Sequence, residues 1–352
     1  MGVLPIELLC IGNAIVDVFA VADPAQLDEW GVTEPVQHIS RDAAQRIFER
    51  LDGRQVFSSG GGAANVAKIA AMLNVRTAFT GCMGGGDDNF AAVFEKSLAD
   101  AGVVPFLTLG AEKTGLCFSF SCGSAPGSET RIAAAPGAAL EFTESDVRED
   151  LFDGVEAVVL DGYILDRRPL VQHILQIANR RGIPIALDAA SVFQIKEKTE
   201  EILHYSRNYP LIVFMNADES IVFYNTIKKS SSRINTASER EKESLILKEI
   251  CPVLKYITEG EIFPVIVIKL GGRGAVILAG GNIYREETFT IIPRNTVGAG
   301  DAFCAAFIAA WIRGRSIREC AALGNKVAKE ILLVPGTAIK ADKLKSFAKL
   351  LR

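Results

Sequence analysis

The amino-acid sequence predicts an α/β protein in which a central, mostly parallel sheet carries helices on both faces. From Val155 onward, short apolar runs such as AVVL at 157–160 and LIVFM at 211–215 alternate with helical segments. Strands that are apolar throughout are typical of a parallel sheet that is covered on both faces. In addition, 49% of the 352 residues are hydrophobic, which is enough for one large domain or two medium ones.

Apolar runs and helix patterns place the expected elements along the chain. Strands are predicted at 7–11, 15–18, 77–83, 116–122, 157–160, 184–187, 211–215, 265–270, 275–278 and 288–292. Helices are predicted at 41–51, 63–73, 89–101 and 169–181, from 196, from 216, at 301–312 and at 321–332. No internal repeat is evident.

Composition and charge exclude several classes of protein. The formal net charge is −4, with 38 basic and 42 acidic residues, so no basic surface for nucleic acid or an anionic membrane is expected. No apolar run approaches the roughly 20 residues of a membrane span, and the N-terminus lacks the cationic region of a signal peptide. The seven cysteines include no CxxC pair, which favours free thiols in a reducing cytoplasm. We therefore expect a cytoplasmic protein.

The segment NTVGAGDAF at 295–303 is the first candidate for chemistry. Gly298 and Gly300 allow a tight turn, and an apolar helix follows from Asp301. A helix N-terminus preceded by glycines offers unpaired N–H groups and a positive dipole end, which suit a phosphate. Asp301 could align a hydroxyl against that phosphate, or it could only cap the helix.

Two further polar positions interrupt apolar segments in the first part of the chain. Gly60, Gly61 and Gly62 precede a helix, and Asn65 lies in its first turn. These glycines allow close approach of a ligand, or they only serve helix–sheet packing. Asp17 is bracketed by valines, and a buried carboxylate is costly without a partner. It either pairs with a cation or accepts hydrogen bonds from ligand hydroxyls.

Polar residues also follow the predicted parallel strands. Asp188, Asn216 and Glu219 come at or just after strand ends, and ligands of open α/β sheets bind beyond the carboxyl ends of the strands. Other nucleotide-binding classes lack their signatures here. GxxxxGK[ST], the protein-kinase HRD and DFG motifs, and GxGxxG in the first βαβ unit are all missing from the sequence.

Four motifs together resemble one family. NTVGAGDAF resembles the C-terminal signature of the ribokinase-like (PfkB) family of carbohydrate and nucleoside kinases. SGGGAANVA at 59–67, NADE at 216–219 and KLGGRGA at 269–275 are similar to its N-terminal signature, its NxxE motif and its nucleotide-binding turn. Their order and spacing match over essentially the whole chain. The resemblance implies one ribokinase-like domain over 1–352, with a small β lid from segments near 14–22, 34–40 and 115–135.

Within that family, the chain looks most similar to adenosine-kinase-like members. The stretches GNAIVDVFA, DPAQLDEWG, TRIAAAPGAA, DGY and LDAASVF carry this similarity. Two positions depart from the pattern. Gly62 stands where adenosine kinases commonly have serine, which puts the acceptor in doubt, and Asn295 stands where the family usually has aspartate.

The resemblance implies a role for each matched residue. Asp301 would be the base that faces the acceptor CH2OH. Its pKa is expected to be low at a helix N-terminus, but alignment matters more than basicity in a loose phosphoryl-transfer transition state. The N–H groups of Gly298, Ala299 and Gly300 would bind the transferring phosphoryl group, and Asn216 and Glu219 would organise Mg²⁺ through water. The residues that would bind the acceptor are Asn13, Asp17, Gly61, Gly62 and Asn65. Those that would bind the nucleotide are Asn216, Lys269, Gly271, Gly272, Gly274 and Asn325.

Two implied contacts have plain alternatives. Tyr163 would stack on an aromatic base, or it packs in the core. Arg131 would approach the phosphates as a lid closes, or it is a solvated charge. The implied function is that of an ATP- and Mg²⁺-dependent kinase that acts on a primary hydroxyl of a nucleoside or sugar, with adenosine as the leading acceptor. The alternatives are a furanose-type kinase for ribose, fructose or 2-keto-3-deoxygluconate, and a nucleotide-binding protein without catalysis. Dependence on a monovalent cation such as K⁺, and a monomeric or homodimeric state, stay open.

Overall fold

The computed structural model describes residues 5–51, 53, 55–123, 130–229, 238–258, 264–288, 291, 297–333 and 341–351. Fourteen strands lie in these ranges: β1 Leu8–Ile11, β2 Ile15–Val21, β3 Val36–His38, β4 Val56–Gly60, β5 Thr77–Gly84, β6 Val104–Gly110, β7 Thr114–Ser121, β8 Thr130–Gly137, β9 Ala157–Asp161, β10 Ile185–Asp188, β11 Leu211–Asn216, β12 Val265–Lys269, β13 Ala275–Ala279 and β14 Asn282–Glu286.

Helices connect most of these strands. They are α1 Pro24–Glu29, α2 Arg41–Glu49, α3 Gly62–Met72, α4 Asn89–Asp100, α5 Arg168–Arg180, α6 Val192–Asn208, α7 Ala217–Lys228, α8 Glu239–Leu245, α9 Cys251–Lys255, α10 Ala299–Ile312, α11 Ile317–Leu332 and α12 Ala341–Ala348. No helix in the described part of the chain is long and apolar enough to cross a membrane.

Nine strands form the main sheet, in the order β14-β13-β12-β11-β10-β9-β1-β5-β6. The seven strands from β12 to β6 pair in parallel, and β13 and β14 extend the sheet as antiparallel strands. The predicted mostly parallel sheet is therefore confirmed. Because all seven parallel strands point the same way, the residues that end them gather at one edge.

Both faces of the main sheet are buried, as the continuous apolar strands predict. Leu8 and Cys10 of β1 belong to a core cluster that includes side chains of α3, α10 and α11. Leu9 and Ile11 point to the opposite face, into a cluster with side chains of α5, α6 and α7. All four residues are fully buried because successive strand residues alternate between the two faces.

A second sheet lies where a small β lid is expected. Its order is β3-β8-β7-β2-β4. Buried residues such as Val18 and Phe118 join it to the core cluster of α3 and α10. The sheet is larger than the segments 14–22, 34–40 and 115–135 suggest, because β4 is also part of it. Part of the expected lid, residues 124–129, lies outside the described residues.

Several elements differ from the sequence predictions. Helix α6 begins four residues before the predicted start, since Ser191 accepts a hydrogen bond from Gln194 N and caps it there. Strands β6 and β14 were not predicted; both are edge strands of the main sheet and carry mixed, partly exposed residues. Helix α12 was also missed. The strand predicted at 288–292 lies largely outside the described residues.

Candidate active site

Four neighbouring parallel strands end in polar residues at one edge of the main sheet. Asp161 ends β9, Asp188 ends β10, Asn216 ends β11 and Lys269 ends β12. Asp188 is in register with Asp161, and Asn216 with Lys269. The ammonium of Lys269 donates to Asp188 Oδ2 at 2.8 Å. The predicted gathering of polar residues at this edge is therefore confirmed.

Helix α10 begins beside this edge. Its N-cap is Gly298, whose φ of 79° lies in the left-handed region that favours glycine, and Asp301 is the third residue of the helix. The interpretation of Asp301 as the N-cap is therefore wrong. Its Oδ2 instead accepts a hydrogen bond from Asn65 Nδ2 at 3.0 Å. Asn295 and Thr296 of the same motif lie outside the described residues.

The pKa of Asp301 is raised rather than lowered by its surroundings. Burial and the charge of Asp188 raise it to about 7, against a smaller lowering by the Asn65 hydrogen bond and by Lys269. The expected low pKa at a helix N-terminus is therefore wrong. The favourable dipole is outweighed because the carboxyl group is secluded from water and lies near other carboxylates.

Lys269 brings a positive charge to the N-terminus of α10. A Cβ atom added to Gly300 would lie only 3.1 Å from Lys269 Nζ, so the ammonium nearly touches the helix backbone. Burial alone would lower the pKa of Lys269, but Asp188 and Glu219 raise it, so the ammonium stays charged. A charged lysine beside free helix N–H groups makes a site for an anion.

The glycine turn before α3 faces the same space. Gly61 has φ 83°, and a Cβ there would lie 2.5 Å from Asn13 O. A Cβ on Gly62 would lie 3.6 Å from Asp301 Oδ1 and 3.9 Å from Asp161 Oδ2. The turn therefore brings the backbone between two carboxylates and leaves room beside Asp301. The structure thus brings Gly61, Gly62 and Asn65 together with Asp301, as the sequence predicts.

Asn13 is held by an arginine that the sequence analysis missed. Asn13 Oδ1 accepts from Arg167 Nη2 at 2.6 Å, and Arg167 also donates to Ala139 O. The two bonded residues are 154 positions apart in the chain, so no local pattern connects them. Asp161, the other missed residue, had a signal. It ends an apolar run just as Asp188 does, and the sequence analysis used only the latter.

Asp161 keeps one oxygen without a hydrogen-bond partner in the described part of the chain. Its Oδ1 accepts from Tyr163 N at 3.0 Å, whereas the buried Oδ2 accepts no hydrogen bond of good geometry. Burial raises the pKa of Asp161 to about 6, although the Tyr163 N–H group and the charge of Arg167 counteract part of this. A buried carboxylate oxygen without a partner is unusual, and such atoms at a site are suited to accept from a ligand.

Asp17 lies on β2 in the second sheet, next to β4. Its carboxyl group sits over Gly60, where an added Cβ would lie 2.2 Å from the carboxyl carbon. Burial raises the pKa of Asp17 to about 6, while the charge of Lys68 and a hydrogen bond with Cys117 lower it. A positively charged neighbour is therefore present, as one of the two alternatives expects.

Two other residues were predicted to bind the acceptor, Tyr163 and Arg131. Tyr163 lies close to the strand-end residues, whereas Arg131 lies in the second sheet. Tyr163 lies two residues after Asp161 and is half-buried, and burial and the Asp161 charge raise its pKa to about 12. Arg131 lies in β8, and it donates to Asp28 Oδ1 at 2.6 Å and to Val32 O at 2.8 Å, near α1. Approach of Arg131 to a phosphate would require that ion pair to break. Its role stays a prediction.

The predicted nucleotide-binding turn is a short 3₁₀ segment, Gly271–Arg273. A Cβ on Gly271 or Gly272 would meet no described atom within 4 Å, so open space lies beside them. Gly274 has φ 87°, and a Cβ there would lie 2.1 Å from Glu286 O. Asn325 on α11 donates to Glu287 O at 3.4 Å, next to β14.

NADE forms a capping box at the start of α7. Glu219 N donates to Asn216 Oδ1 at 2.9 Å, and Glu219 accepts from Asn216 N and Nδ2, both at 2.7 Å. Burial and the charge of Asp188 raise the pKa of Glu219 to about 7. In the described part of the chain, no three His, Cys, Asp or Glu residues are arranged to hold a metal directly.

Comparison with known proteins assigns the family. The model of the pfkB family carbohydrate kinases matches residues 49–344 of this sequence. The chain belongs to the PfkB family. Its relatives include an adenosine kinase from Dictyostelium discoideum, which is 21% identical over 97% of this chain and 98% of that protein. A 5-dehydro-2-deoxygluconokinase from Bacillus thuringiensis subsp. konkukian is 26% identical over 94% and 90%, respectively.

A solved structure shares the fold. The adenosine kinase from Sinorhizobium meliloti superposes with a TM-score of 0.81 at 25% identity, over 99% of this chain and 100% of that chain. The protein is thus a ribokinase-like kinase of the PfkB family that acts on carbohydrates or nucleosides. The predicted fold class and the predicted enzyme class are both confirmed.

Six of the seven cysteines of this PfkB kinase, namely Cys10, Cys82, Cys117, Cys251, Cys304 and Cys320, are free thiols, and five of these are buried. This agrees with the expectation from the odd number and the spacing of the seven cysteines. None of these six belongs to a disulfide that could stabilise the site.

Proposed function

We propose that this PfkB kinase transfers the terminal phosphoryl group of ATP to a primary hydroxyl of a nucleoside or sugar, with adenosine as the leading acceptor. The observation that carries the proposal is the position of Asp301. It lies in the first turn of α10, is held by Asn65 and faces the glycine turn at Gly62. A carboxylate next to a helix N-terminus and next to open space suits alignment of a hydroxyl against a phosphate.

Asp301 would orient the acceptor hydroxyl and take its proton. With a pKa near 7 in the free enzyme, it is a better base than an ordinary aspartate. The hydrogen bond from Asn65 fixes one carboxylate oxygen and leaves the other, Oδ1, on the side of Gly62. The proton of the acceptor hydroxyl then passes to that carboxylate while the acceptor oxygen bonds to the terminal phosphorus of ATP, and the bond from that phosphorus to the bridging oxygen breaks, so that ADP leaves.

The transferring phosphoryl group would lie against the N-terminus of α10. The backbone N–H groups of Gly298, Ala299 and Gly300 provide donors, and Lys269 adds a positive charge beside Gly300. Both act where negative charge spreads over the phosphoryl oxygens, which is the largest requirement of this kind of reaction.

The strand-end residues fit a hydrated Mg²⁺ better than a bare one. Four carboxyl groups, those of Asp161, Asp188, Glu219 and Asp301, gather there, and the charge of Asp188 raises the pKa of both Glu219 and Asp301. Glu219 and Asn216 bind each other, so they would hold the ion through its waters. When bound, Mg²⁺ would neutralise phosphate charge. The open space beside Gly271 and Gly272 would take the nucleotide, with Asn325 at its border.

The acceptor would occupy the space between the glycine turn and the second sheet, which would act as a lid. Asn13, Asp17, Asn65 and the backbone at Gly61 would bind its hydroxyls, and Tyr163 would stack on an adenine ring. Two observations favour a sugar as the second candidate. Gly62 replaces the serine common in adenosine kinases, and the unpartnered Oδ2 of Asp161 could accept from a further hydroxyl.

The test is an ADP-release assay with ATP and Mg²⁺ against adenosine, ribose, fructose, 2-keto-3-deoxygluconate and 5-dehydro-2-deoxygluconate. Turnover with adenosine alone supports the leading proposal. Turnover with one of the sugars alone replaces it by the second candidate. ATP-induced thermal stabilisation without turnover on any acceptor would indicate a nucleotide-binding protein without catalysis.

The assay also tests the remaining parts of the proposal. Repeating it with K⁺ in place of Na⁺ tests dependence on a monovalent cation, and light scattering distinguishes a monomer from a homodimer. We place the protein in the cytoplasm, which the six free thiols support.

A further inference from the structure

Lys68 is a buried cation to which the mechanism above assigns no role. It lies on α3 one turn after Asn65, and only 8% of its surface is exposed. Its ammonium donates to Ser58 Oγ at 3.0 Å and to Ser59 O, both on β4. A buried ammonium is costly without partners, so these bonds and the nearby carboxylates must compensate for its burial.

The bonds to β4 bring the ammonium to the strand pair that carries Asp17. In the antiparallel pairing of β2 with β4, Asp17 lies directly opposite Ser58. The side chain of Asp17 covers Gly60 two residues further along β4. Lys68, on α3, is therefore bonded to the strand that pairs with the Asp17 strand, and the charges of Lys68 and Asp17 attract each other.

The same lysine lies close to the catalytic end of the site. Asn65 and Lys68 are three residues apart on α3 and so lie on neighbouring positions of one face. Asn65 donates to Asp301, and the charge of Asp301 also acts on Lys68. Asn65 and Lys68 both line a cavity of about 170 Å³, which is also lined by Ser58, Asp100 and Gly298.

We propose that Lys68 is a positioning residue for the acceptor: it ties α3 to β4 of the second sheet and maintains the negative charge of Asp17 beside the acceptor hydroxyls. This inference rests on the proposed function, because it assigns Asp17 to the acceptor. Through Asn65, the helix that carries Lys68 also carries the contact to Asp301. The acceptor and the base would thus be aligned by one helix.

The electrostatics of the pair agree with this geometry. Burial raises the pKa of Asp17 to about 6, and Lys68 opposes that rise. Burial lowers the pKa of Lys68 to about 8, and Asp17 and Asp301 oppose that fall. Both groups are therefore charged between about pH 6 and pH 8. Without Lys68, Asp17 would take up a proton at a higher pH, and a protonated carboxyl group accepts fewer hydrogen bonds.

Other titratable groups face this pair. Cys117 on β7 bonds with Asp17, and burial keeps its thiol pKa well above the usual value, so it stays neutral. Asp100 on α4 lines the cavity and is paired with Lys96 at 2.6 Å. Asp161, Asp188 and Lys269 act on Asp301 from the strand ends. Among the described groups that shift the pKa of Asp17, only Lys68 carries a positive charge.

The test compares Lys68→Met and Lys68→Arg with the wild type. In Lys68→Met, we expect the contribution of Asp17 to the acid limb of kcat/KM for the acceptor to move up by about one pH unit, towards that of Asp301, because an opposite charge of this kind lowers a carboxyl pKa by roughly 1–3 units. The loss is then about fivefold at pH 6, where the ionised fraction of Asp17 falls from about one half to about one tenth, and small at pH 8.5. This loss comes from a higher KM for the acceptor more than from a lower kcat. Lys68→Arg retains most of the wild-type pH profile of kcat/KM. Acceptor-induced thermal shifts should follow the same pH dependence.

Lys198→Met is the matched control. The side chain of Lys198 is 15% exposed and pairs with Asp166 on a different part of the molecule, so its removal should leave the acid limb in place. A loss of kcat/KM that is equal at every pH, together with a lower melting temperature, would overturn the inference and leave Lys68 a structural residue. An unchanged pH profile of kcat/KM in Lys68→Met would also overturn the inference.

A second variant covers the case in which Lys68→Met does not fold. Ser58→Ala removes one hydrogen-bond acceptor from the ammonium but keeps its charge, and it should raise KM for the acceptor without moving the acid limb. An unchanged KM would contradict the positioning role. Absence of wild-type turnover on every acceptor would instead refute the proposed function itself, so the two failures are distinguishable.

Discussion

Asp301 shows how strongly the setting of one residue controls its chemistry. Its position in the first turn of α10 should favour the charged form. Burial and the nearby Asp188 act in the opposite direction and raise its pKa to about 7. The carboxyl group is thus more basic than its place on the helix suggests. The site retains this carboxyl group although its ionisation weakens the folded state.

Replacing Asp301 should remove the chemistry and leave nucleotide binding. In Asp301→Asn, the amide keeps the size of the side chain and its contact with Asn65, but it cannot accept the proton of the acceptor hydroxyl. We expect kcat to fall by about 10²–10⁴-fold, the range for loss of a general base. ATP-induced thermal shifts should stay close to those of the wild type. Turnover near the wild-type rate would show that Asp301 is not the base.

The same substitution should stabilise the protein at neutral pH. When a carboxyl group has a pKa of 3.8 in the unfolded state and about 7 in the folded state, its ionisation lowers the free energy of unfolding by at most ~4 kcal/mol. Because the folded state binds the proton more tightly, stability decreases as the pH rises from about 4 through about 7. The melting temperature of Asp301→Asn should therefore exceed that of the wild type by more at pH 8 than at pH 5. An equal difference at both pH values would contradict the raised pKa.

At the scale of single elements, the glycine turn before α3 decides how closely two parts of the site approach. Gly61 is required by its backbone, because φ is 83° and a Cβ would meet Asn13 O at 2.5 Å. Gly62 has no such constraint, since its nearest neighbours would be 3.6 Å or more from a Cβ. The two adjacent glycines therefore serve different purposes.

This difference is testable with a pair of alanine variants. Gly61→Ala should displace Asn13 or distort the turn, so we expect a lower melting temperature and at least a tenfold loss of kcat/KM for the acceptor, corresponding to about 1.4 kcal/mol. Gly62→Ala serves as the control and should retain the wild-type melting temperature. Equal effects of both variants on stability would contradict the conformational argument. Circular dichroism melts and acceptor saturation curves provide the measurements.

The elements near the centre of the sheet could be predicted because their local signals agree with their burial. Runs such as LIVFM are buried on both faces and so carry no alternation that could mislead. Edge strands are different. β6 contains a proline and half-exposed residues, and β14 is mostly polar, so pairing with a neighbour rather than composition makes them strands.

The same reasoning applies to the site. Asn65, Lys269 and Asp301 lie on motifs whose glycines and strand ends could be recognised. Arg167 and Lys68 could not be found in this way. Arg167 acts on Asn13 across 154 residues, and Lys68 acts from α3 on Asp17 of β2. Their partners are set by tertiary packing, which a single sequence does not reveal.

At the scale of the whole molecule, the two ends of the parallel strands have different roles. The carboxyl ends form the carboxyl edge of the main sheet, and the amino ends form its amino edge. The carboxyl edge gathers groups with raised pKa values, among them Asp161, Glu219 and Asp301. The amino edge contains Glu7, which is 5% exposed and binds two arginines. Arg76 and Arg313 lie before β5 and after α10, so this cluster joins β1, β5 and the C-terminal end of the helix that carries Asp301.

Removing the charge of Glu7 should therefore destabilise the protein and leave the chemistry intact. Burial would raise the pKa of Glu7, but the Arg76 N–H and the Arg313 guanidinium lower it overall. Its contribution to stability is thus present above the unfolded pKa, near 4.5, and is lost as the pH falls through the lower folded value. In Glu7→Gln, two arginines lose their shared carboxylate, which should cost about 3 kcal/mol at pH 7.

The cost should shrink as the pH falls below 4.5 and through the lowered folded pKa of Glu7, because the wild-type carboxyl then also takes up a proton. KM for both substrates should stay unchanged in the folded fraction. Glu149→Gln is the matched control, since Glu149 and Arg180 form an exposed pair that contributes at most about 1 kcal/mol. Urea melts at pH 7 and pH 4 separate the two variants. An altered KM for either substrate in Glu7→Gln would show that the amino edge of the sheet also controls the site at its carboxyl edge, because α10 spans the distance between them.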